Sequence, residues 1–194
     1  MTEIDTRLQI IEAASERFSQ YGYNKTTMAE IARDCGMSAA NLYRYFDNKL
    51  NIGSAIANQC LLEKESELGL IVADTSLTSV DKLNGFIQFI LHYTFNHFNE
   101  SPRISELIDA ITIQCPEVMK AHRQSSFDLL RQLLEQGNNN GEFSFENLDE
   151  TTEAINTAIT AFYLPTVMPM FTLEEFEHKA KIVFELLLKS IIKR

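Results

Sequence analysis

The chain has few prolines and glycines, which break helices, and few cysteines, which form disulfides and bind zinc. Its 194 residues include four prolines, seven glycines, three cysteines and no tryptophan. Three cysteines without a C-x-x-C spacing support neither a disulfide framework nor a zinc knuckle. We therefore expect Cys35, Cys60 and Cys115 to be reduced core residues, and a redox-sensing thiol is the alternative.

Long apolar runs and strand patterns are also missing. No stretch approaches the roughly 20 apolar residues that cross a bilayer, and the first residues, MTEIDTRLQ, have neither a basic region nor an apolar stretch. No alternating apolar and polar segment of useful length occurs. With 45% hydrophobic and 23% charged residues, the composition is typical of a globular protein. We expect an all-α protein of the cytoplasm without membrane contact.

The sequence carries no recognisable catalytic or cofactor motif. It has no G-x-S-x-G elbow, no glycine-rich phosphate loop and no cysteine in a catalytic signature. Glu175 and His178 form one E-x-x-H pair, whereas a carboxylate-bridged di-metal centre needs two pairs and further glutamates. His92, His97 and His122 lack the i, i+4 spacing of a helical zinc pair. We therefore predict no catalytic residues, no metal, no cofactor and no enzymatic activity.

Residues 27–49 read TMAEIARDCGMSAANLYRYFDNK and predict two short helices joined by a glycine turn. Thr27 and Glu30 have the spacing of a capping box at the start of the first helix. Gly36 suits the left-handed backbone at the end of that helix, and Ser38 can cap the second one. This spacing is that of a helix-turn-helix.

The second helix of this pair begins at Ala39, is anchored from below by Leu42 and Phe46, and carries side chains that suit DNA. Asn and Arg make bidentate contacts with adenine and guanine, while tyrosine hydroxyls and a lysine at a helix start suit phosphates. An ordinary helical hairpin, whose tyrosines and Arg44 cover a core, is the alternative. The predicted DNA contacts are Thr27, Ser38, Ala39, Ala40, Asn41, Tyr43, Arg44, Tyr45 and Lys49.

Residues 5–49 resemble the DNA-binding domain of the TetR family of bacterial regulators. The matches, in chain order, are Phe18, Tyr21-Gly22-Tyr23, Thr26-Thr27, Ile31-Ala32, Gly36-Met37-Ser38, Leu42-Tyr43-Arg44-Tyr45-Phe46 and Asn48-Lys49. The chain departs from the family at Leu50-Asn51, where members often carry an acidic pair, and Ala39-Ala40 leaves few base-contacting side chains. The resemblance implies a three-helix DNA-binding domain over residues 1–48 and a helical ligand-binding and dimerisation domain over residues 49–194.

Charge is distributed unevenly along the chain, whose formal net charge is −10. Residues 1–50 contain six Lys or Arg and seven Asp or Glu, which gives a net charge of −1. Residues 51–194 contain eleven Lys or Arg and twenty Asp or Glu, which gives a net charge of −9. Lys25 and Arg33 lie with Arg44 and Lys49 around the expected DNA face. A modest basic face on an acidic body implies weak nonspecific binding, so useful affinity must come from dimeric recognition.

Helical periodicity sets further expectations. Pro165 and Pro169 should break or kink the helix before the last one. Thr172 and Glu175 have capping-box spacing at the start of the last helix. The first helix should open at Asp5 or Thr6 and bury Leu8, Ile11, Ala14 and Phe18.

The last two helices have wide apolar faces. In the TetR family such helices pair across a twofold axis, so the resemblance implies a homodimer on near-palindromic operator DNA. Packing of these faces inside one subunit is the alternative. The predicted dimer contacts are Ile155, Ile159, Phe162, Phe176, Val183 and Leu187.

Family members also hold a small-molecule effector in the helical body. A mixture of aromatic, soft and hydrogen-bonding groups suits such a cavity, although each of these residues could belong to a plain core. The predicted function is a ligand-responsive homodimeric repressor, and the alternatives are a helical small-molecule-binding or interaction protein whose head does not use DNA, or a helical enzyme without a recognisable motif. The predicted pocket residues are Tyr93, His97, Ile111, Cys115, Met119, Phe127 and Tyr163.

Overall fold

The structure, a computed structural model, describes residues 3–100 and 103–193, which form α-helices joined by short turns. The helices are α1 (Glu3–Tyr21), α2 (Met28–Asp34), α3 (Ala39–Leu42), α4 (Lys49–Ala73), α5 (Ser79–Glu100), α6 (Ile104–Gln114), α7 (Pro116–Asn139), α8 (Leu148–Ala158) and α9 (Leu173–Ile191). No strand occurs within these described residues, so the all-α prediction is confirmed. No helix in the same ranges is both long and apolar enough to cross a membrane.

The described residues divide into two compact units. The head unit comprises residues 3–62, 99–100 and 103–121, and the body unit comprises residues 63–98 and 122–193. Helices α4, α5 and α7 therefore contribute residues to both units, and α6 belongs to the head unit. The boundary at residue 48 stays a prediction for the sequence domains, since α4 begins at the next residue and continues into the body unit.

Helix α1 packs in the head unit through residues spaced four apart: Thr6, Ile10, Ala14 and Phe18. The predicted stripe was right at Ala14 and Phe18 but wrong at Leu8, which is 46% exposed, and at Ile11, which is only half-buried. Successive helical residues are rotated by roughly 100°, so a stripe through Ile10 and Ala14 turns Leu8 toward solvent.

Helices α2 and α3 form the predicted helix-turn-helix. The backbone N–H of Thr27 donates to Glu30 Oε2 at 2.9 Å, and the N–H of Glu30 donates to Thr27 Oγ1 at 3.3 Å, which completes the capping box. Gly36 ends α2 with a φ of +65°, in the left-handed region that glycine tolerates. Ser38 Oγ accepts the N–H of Asn41 at 3.2 Å and caps α3.

Helix α3 is a single turn, and tighter turns continue it to Phe46. The N–H groups of Arg44 and Tyr45 donate to carbonyls three residues earlier, at 3.1 and 3.0 Å, and that of Phe46 donates to Leu42 at 3.2 Å. Residues 38–46 are named the reading segment. Leu42 is 0% and Phe46 is 3% exposed, so the prediction that they anchor this segment is confirmed.

The core of the body unit combines apolar side chains from α4, α5, α7, α8 and α9. A Cβ on Gly137 would lie 2.2 Å from Cδ2 of Phe143, so only glycine lets α7 pass this close to the Phe143 ring. Glu142 accepts hydrogen bonds from the backbone N–H and the hydroxyl of Ser79, both at 2.8 Å. These contacts fix the segment after α7 against the start of α5.

The expected interruption before α9 is confirmed. Helix α8 ends at Ala158, and two 3-10 segments follow, Thr160–Tyr163 and Pro165–Met170. Thr172 and Glu175 then form the predicted capping box, with N–H···O distances of 2.8 and 3.2 Å.

This capping box predicts an acid-labile start of α9. The hydrogen bonds from the backbone and the hydroxyl of Thr172 lower the pKa of Glu175 from its ordinary value of 4.5. A lowered carboxylate pKa stabilises the fold above the unfolded-state value, and this stabilisation is lost as the pH falls through the folded-state value. We expect the unfolding free energy of Glu175→Gln to vary less with pH below 4.5 than that of the wild type. Urea unfolding between about pH 3 and pH 6 measures this difference.

Glu174→Gln is the matched control, because it removes a neighbouring carboxylate in the same first turn that takes no part in the capping box. It should retain the wild-type dependence on pH. Equal pH dependence in Glu175→Gln and Glu174→Gln would contradict the prediction.

Candidate functional site

The reading segment presents a small surface at its start and larger polar groups after it. Its half-buried residues are Ala39, Asn41 and Tyr45, and its exposed residues include Ala40, Tyr43 and Arg44. Tyr43 is 51% exposed, whereas the amide of Asn41 lies 3.9 Å from Met37 Sδ. Within the reading segment, Tyr43 and Arg44 therefore carry the large polar side chains that are most accessible to a binding partner.

The side chains of Thr27 and Ser38 are exposed and serve as helix caps. The hydroxyl of Thr27 donates to Glu30 Oε2 at 2.8 Å, and this bond is the main cause of the lowered pKa of Glu30. Ser38 caps α3 through its bond from Asn41. Both residues thus fix where the two helices begin, and their direct contact with DNA stays a prediction.

Lys49 is half-buried and bonded to the turn that precedes α2. Its Nζ donates to the carbonyl oxygens of Tyr23 at 2.6 Å and Thr26 at 2.8 Å, and it lies 4.3 Å from the centroid of the Tyr23 ring. Burial lowers the pKa of Lys49, and the carboxylates of Glu106 and Glu30 act in the opposite direction. Two of the three ammonium donors are thus used inside the head unit. This arrangement supports a positioning role for a residue that we predicted at a DNA phosphate.

Arg7 contacts the reading segment, and sequence reasoning missed it. Its Nη1 donates to the carbonyl of Tyr45 at 2.6 Å, and its guanidinium carbon lies 4.1 Å from the centroid of the Phe46 ring. These contacts hold the end of the reading segment against α1. A lone arginine in α1 carries no motif, so the sequence gives no signal for this role.

Arg103, which immediately precedes α6, and Glu106 of α6 bind the turn that follows α1. Arg103 Nη1 donates to the carbonyl of Tyr21 at 3.0 Å, and Glu106 Oε2 accepts the N–H of Asn24 at 2.9 Å. Gly22 has a φ of +91°, and a Cβ there would lie 2.8 Å from Glu106 Oε1. Position 22 therefore requires glycine for two reasons: its backbone has a positive φ, and it lies close to the Glu106 side chain of α6.

Arg17 joins α1 to α2. It pairs with Asp34 through two hydrogen bonds, and its Nη1 lies 3.5 Å from Glu30 Oε1. The guanidinium of Arg17 holds the pKa of Asp34 below its ordinary value, against an opposing effect of burial. Because the carboxylates are partly exposed, this network orients α2 more than it stabilises the fold.

The seven predicted pocket residues are divided between the units. Ile111, Cys115 and Met119 belong to the head unit, where Ile111 is fully buried in the core. The other four belong to the body unit: Tyr93, His97, Phe127 and Tyr163. The rings of Tyr93 and His97 stack at 4.0 Å, and Thr160 Oγ1 lies 2.9 Å from the Tyr163 hydroxyl oxygen. The effector pocket stays a prediction.

The body unit also buries a polar pair that sequence reasoning did not place. His122 is buried, and its Nδ1 bonds to Oε1 of Glu65. Ser126 lies one helical turn further along α7, and its Oγ is buried without a hydrogen-bond partner among the described residues. His122 thus has a carboxylate as its hydrogen-bond partner.

Four of the six residues predicted as dimer contacts leave almost no surface exposed to a partner subunit. These side chains lie in the core of the body unit and are at most 3% exposed: Ile155, Ile159, Phe162 and Phe176. Val183 and Leu187 are half-buried. The exposed apolar side chains of α9 are instead Ile182, at 52%, and Leu186, at 69%. They lie one residue before Val183 and Leu187, on the face turned away from the core.

The outer face of α8 and the segment after it carries small side chains. Exposed positions recur at helical spacing: Ala154, Thr157, Ala158 and Ala161. This surface lies on the side of α8 opposite to its buried residues Thr152 and Ile155.

The remaining predictions concern thiols and metals. No disulfide joins Cys35, Cys60 and Cys115 to one another, and burial raises the pKa of the Cys35 thiol. No group of three or more His, Cys, Asp or Glu side chains is arranged to hold a metal ion within residues 3–100 and 103–193. Glu175 of the E-x-x-H pair is part of the α9 cap.

Two protein-family profiles match the chain. Residues 10–56 match the bacterial regulatory proteins of the tetR family, and residues 80–184 match a tetracyclin repressor-like C-terminal domain. The second match alone covers more than half of the chain.

Curated relatives agree with these matches. TtgR of Pseudomonas putida, an HTH-type transcriptional regulator, is 31% identical over 111 residues, which are 57% of this chain and 51% of TtgR. The chain thus matches about half the length of that relative. UidR of Escherichia coli, another HTH-type transcriptional regulator, is 24% identical over 159 residues, which are 80% of this chain and 74% of UidR.

Solved structures share the fold over nearly all of the chain. A transcriptional regulator from Cytophaga hutchinsonii superposes with a TM-score of 0.76 at 24% identity, covering 95% of this chain and 97% of that one. SmeT, the repressor of the Stenotrophomonas maltophilia multidrug efflux pump SmeDEF, superposes with a TM-score of 0.71 at 20% identity, covering 96% of this chain and 90% of SmeT. A structure of SmeT in complex with triclosan also matches. With a helix-turn-helix in its head unit and family matches in both parts, the chain belongs to the TetR family of bacterial transcriptional regulators, which are DNA-binding proteins and not enzymes.

Proposed function

We propose that this protein is a cytoplasmic homodimeric repressor that binds near-palindromic operator DNA and is released by a small molecule held in its body. The observation that carries the proposal is the reading segment. Leu42 and Phe46 are buried beneath it, while Tyr43 and Arg44 are exposed on its outer side. Arginine pairs bidentately with guanine in the major groove, and a tyrosine hydroxyl suits a backbone phosphate.

A homodimer is supported by the outer surface of the body unit. Ile182 and Leu186 are exposed apolar neighbours on α9, and small residues line the outer face of α8. Exposed large apolar side chains suit a packed interface. A twofold dimer presents two reading segments to half-sites about 34 Å apart, which is one turn of DNA.

Release by an effector requires that the small molecule bind one conformation more tightly than the other. A compound with equal affinity for the DNA-bound and DNA-free forms would shift nothing. The triclosan complex of SmeT supports a small-molecule effector here by analogy with that protein. The partly buried Glu65–His122 pair and Ser126 provide polar groups in the body unit for such a compound.

Fluorescence anisotropy against the DNA upstream of its own gene tests the proposal. We expect salt-sensitive binding that prefers this DNA over a shuffled duplex of the same length and is weakened by a cognate effector. Binding of a small molecule without any sequence-preferring DNA binding would instead favour a ligand-binding protein whose head does not use DNA. Few base-reaching side chains at Ala39-Ala40 and a net charge of −10 motivate that alternative.

Arg44→Ala should relax the base preference of the protein. Loss of a bidentate contact to guanine removes about 1–3 kcal/mol of discrimination at one base pair of each half-site. The measurement compares the affinity for the operator with that for single-base variants. Arg123→Ala is the matched control, because Arg123 is an exposed arginine of the body unit. If Arg44→Ala keeps the wild-type ratios, Arg44 does not read a base.

A further inference from the structure

A polar cleft of about 490 Å³ opens in the head unit among α1, the turn after it, α2 and the residue that precedes α6. No residue of the reading segment lines it. Its charged lining residues are Glu30 and four cations, Arg17, Lys25, Arg33 and Arg103. The cleft is therefore a feature separate from the surface that carries Tyr43 and Arg44.

Positive charge is concentrated here on an otherwise acidic chain. The four cations and Glu30 give a formal charge of +3, and Asp34, which pairs with Arg17, reduces it to +2, whereas the chain as a whole carries −10. A concave surface lined by charges of one sign focuses the field and raises the local concentration of counter-ions. The cleft thus attracts anions that the rest of the protein repels.

Three of the four cations are available to a ligand. Arg17 is held by Asp34 and Glu30, and its side chain is only 11% exposed. Lys25, Arg33 and Arg103 are exposed, and the ion pairs found among the described residues include none of these three. Arg103 uses Nη1 for the carbonyl of Tyr21, and a guanidinium has five N–H donors in all.

We propose that this cleft binds a phosphate group through Lys25, Arg33 and Arg103. Planar guanidinium groups match the oxygens of a phosphate bidentately, and the local charge of +2 balances a dianion. Polar walls and partial openness to solvent do not suit an apolar compound. The phosphate can belong to a small phosphorylated molecule or to the DNA backbone beside the operator.

Occupancy has a structural consequence within the head unit. Arg103 immediately precedes α6 and already bonds to the end of α1, while Arg33 belongs to the last turn of α2. A phosphate shared by Arg33 and Arg103 therefore fastens the start of α6 to α2. If the phosphate belongs to a small molecule, this site goes beyond the proposed function. If the phosphate belongs to the DNA backbone, the site rests on the proposed function.

The first experiment titrates the DNA-free protein with inorganic diphosphate at constant ionic strength and follows backbone amide NMR signals. We expect saturable shifts at Lys25 and Arg33 that chloride does not reproduce. Lys25→Ala and Arg33→Ala should each weaken diphosphate binding about tenfold, the usual effect of losing one charge-assisted hydrogen bond. Lys120→Ala is the matched control, since Lys120 is an exposed lysine of the head unit outside the cleft.

The second experiment replaces diphosphate with operator duplexes that differ by several flanking base pairs. If the natural phosphate is in the DNA backbone, Arg33→Ala lowers the salt dependence of binding by about one ion on the longer duplex only. If it belongs to a small molecule, diphosphate saturates the cleft and Arg33→Ala leaves the salt dependence unchanged on both duplexes.

The proposal is overturned if Lys25→Ala and Arg33→Ala both behave like Lys120→Ala in the two experiments. Far-ultraviolet circular dichroism confirms that each exposed-residue variant is folded. The titration needs no DNA, so a chain that fails to bind any operator still reports on the cleft. Failure of the cleft and failure of the proposed function are therefore distinguishable.

Discussion

Leu186→Asp is expected to separate the proposed homodimer into monomers and to lower operator affinity by at least about a hundredfold. Leu186 is 69% exposed on α9, and Ile182 lies one turn before it. Burying a leucine stabilises an interface by about 1.5–3 kcal/mol, and a twofold axis uses each residue twice. An aspartate at the same place adds the cost of burying an unpaired charge. Sedimentation velocity measures the dissociation, and anisotropy measures the operator affinity.

Leu70→Asp is the matched control for this change. Leu70 is a leucine of the same body unit, 62% exposed, but it lies on α4 and not on α9. It should leave both the mass in solution and the operator affinity close to wild type. A Leu186→Asp protein that sediments as a dimer would show that a different surface joins the subunits.

The predicted dimer contacts show that apolar periodicity identifies the apolar face of a helix but not the structure that packs against that face. It identified α8 and α9 as helices with apolar faces, and both helices contribute side chains to the core of the body unit. It assigned Ile155 and Phe176 to a partner, although both are buried in the core of their own unit. Spacing gives the width of an apolar stripe but not the identity of what covers it. Ile182 and Leu186, which are exposed on α9, were not among the predicted contacts.

The helix-turn-helix was predictable because its signals are local. The capping partners Thr27 and Glu30 are three residues apart. Gly36 ends α2 through its own backbone conformation, and Ser38 accepts the N–H of Asn41, three residues later. Short-range hydrogen bonds of this kind depend on residue type and spacing, which the sequence displays directly.

Contacts between residues far apart in the chain could not be predicted in this way. The bond from Arg7 to Tyr45 spans 38 residues, and that from Asn24 to Glu106 spans 82. Neither Arg7 nor Glu106 belongs to a motif, because many pairings of exposed charged residues are equally compatible with the sequence. The partly buried bond between Glu65 and His122, 57 residues apart, was missed for the same reason.

Lys49→Met is expected to destabilise the head unit by roughly 2–4 kcal/mol and to weaken binding to every DNA sequence. The ammonium of Lys49 donates to the carbonyls of Tyr23 and Thr26, which immediately precede the α2 cap at Thr27. A hydrogen bond to a charged group contributes about 1.5–3 kcal/mol, and two that share one ammonium are not additive. Methionine retains the apolar stem, so the loss reports on the charge. Urea unfolding measures the stability, with Lys120→Met as the control.

The dependence of binding on salt separates positioning from direct phosphate contact. A lysine that neutralises a phosphate releases counter-ions, so its removal lowers the salt slope by about one. A lysine that only holds the turn at residues 23–26 lowers the affinity and leaves the slope unchanged. Because the Nζ of Lys49 already lies within 2.8 Å of two carbonyl oxygens, we expect the second outcome. A reduced slope with wild-type stability would instead place Lys49 at a phosphate, as the helix-start position alone had predicted.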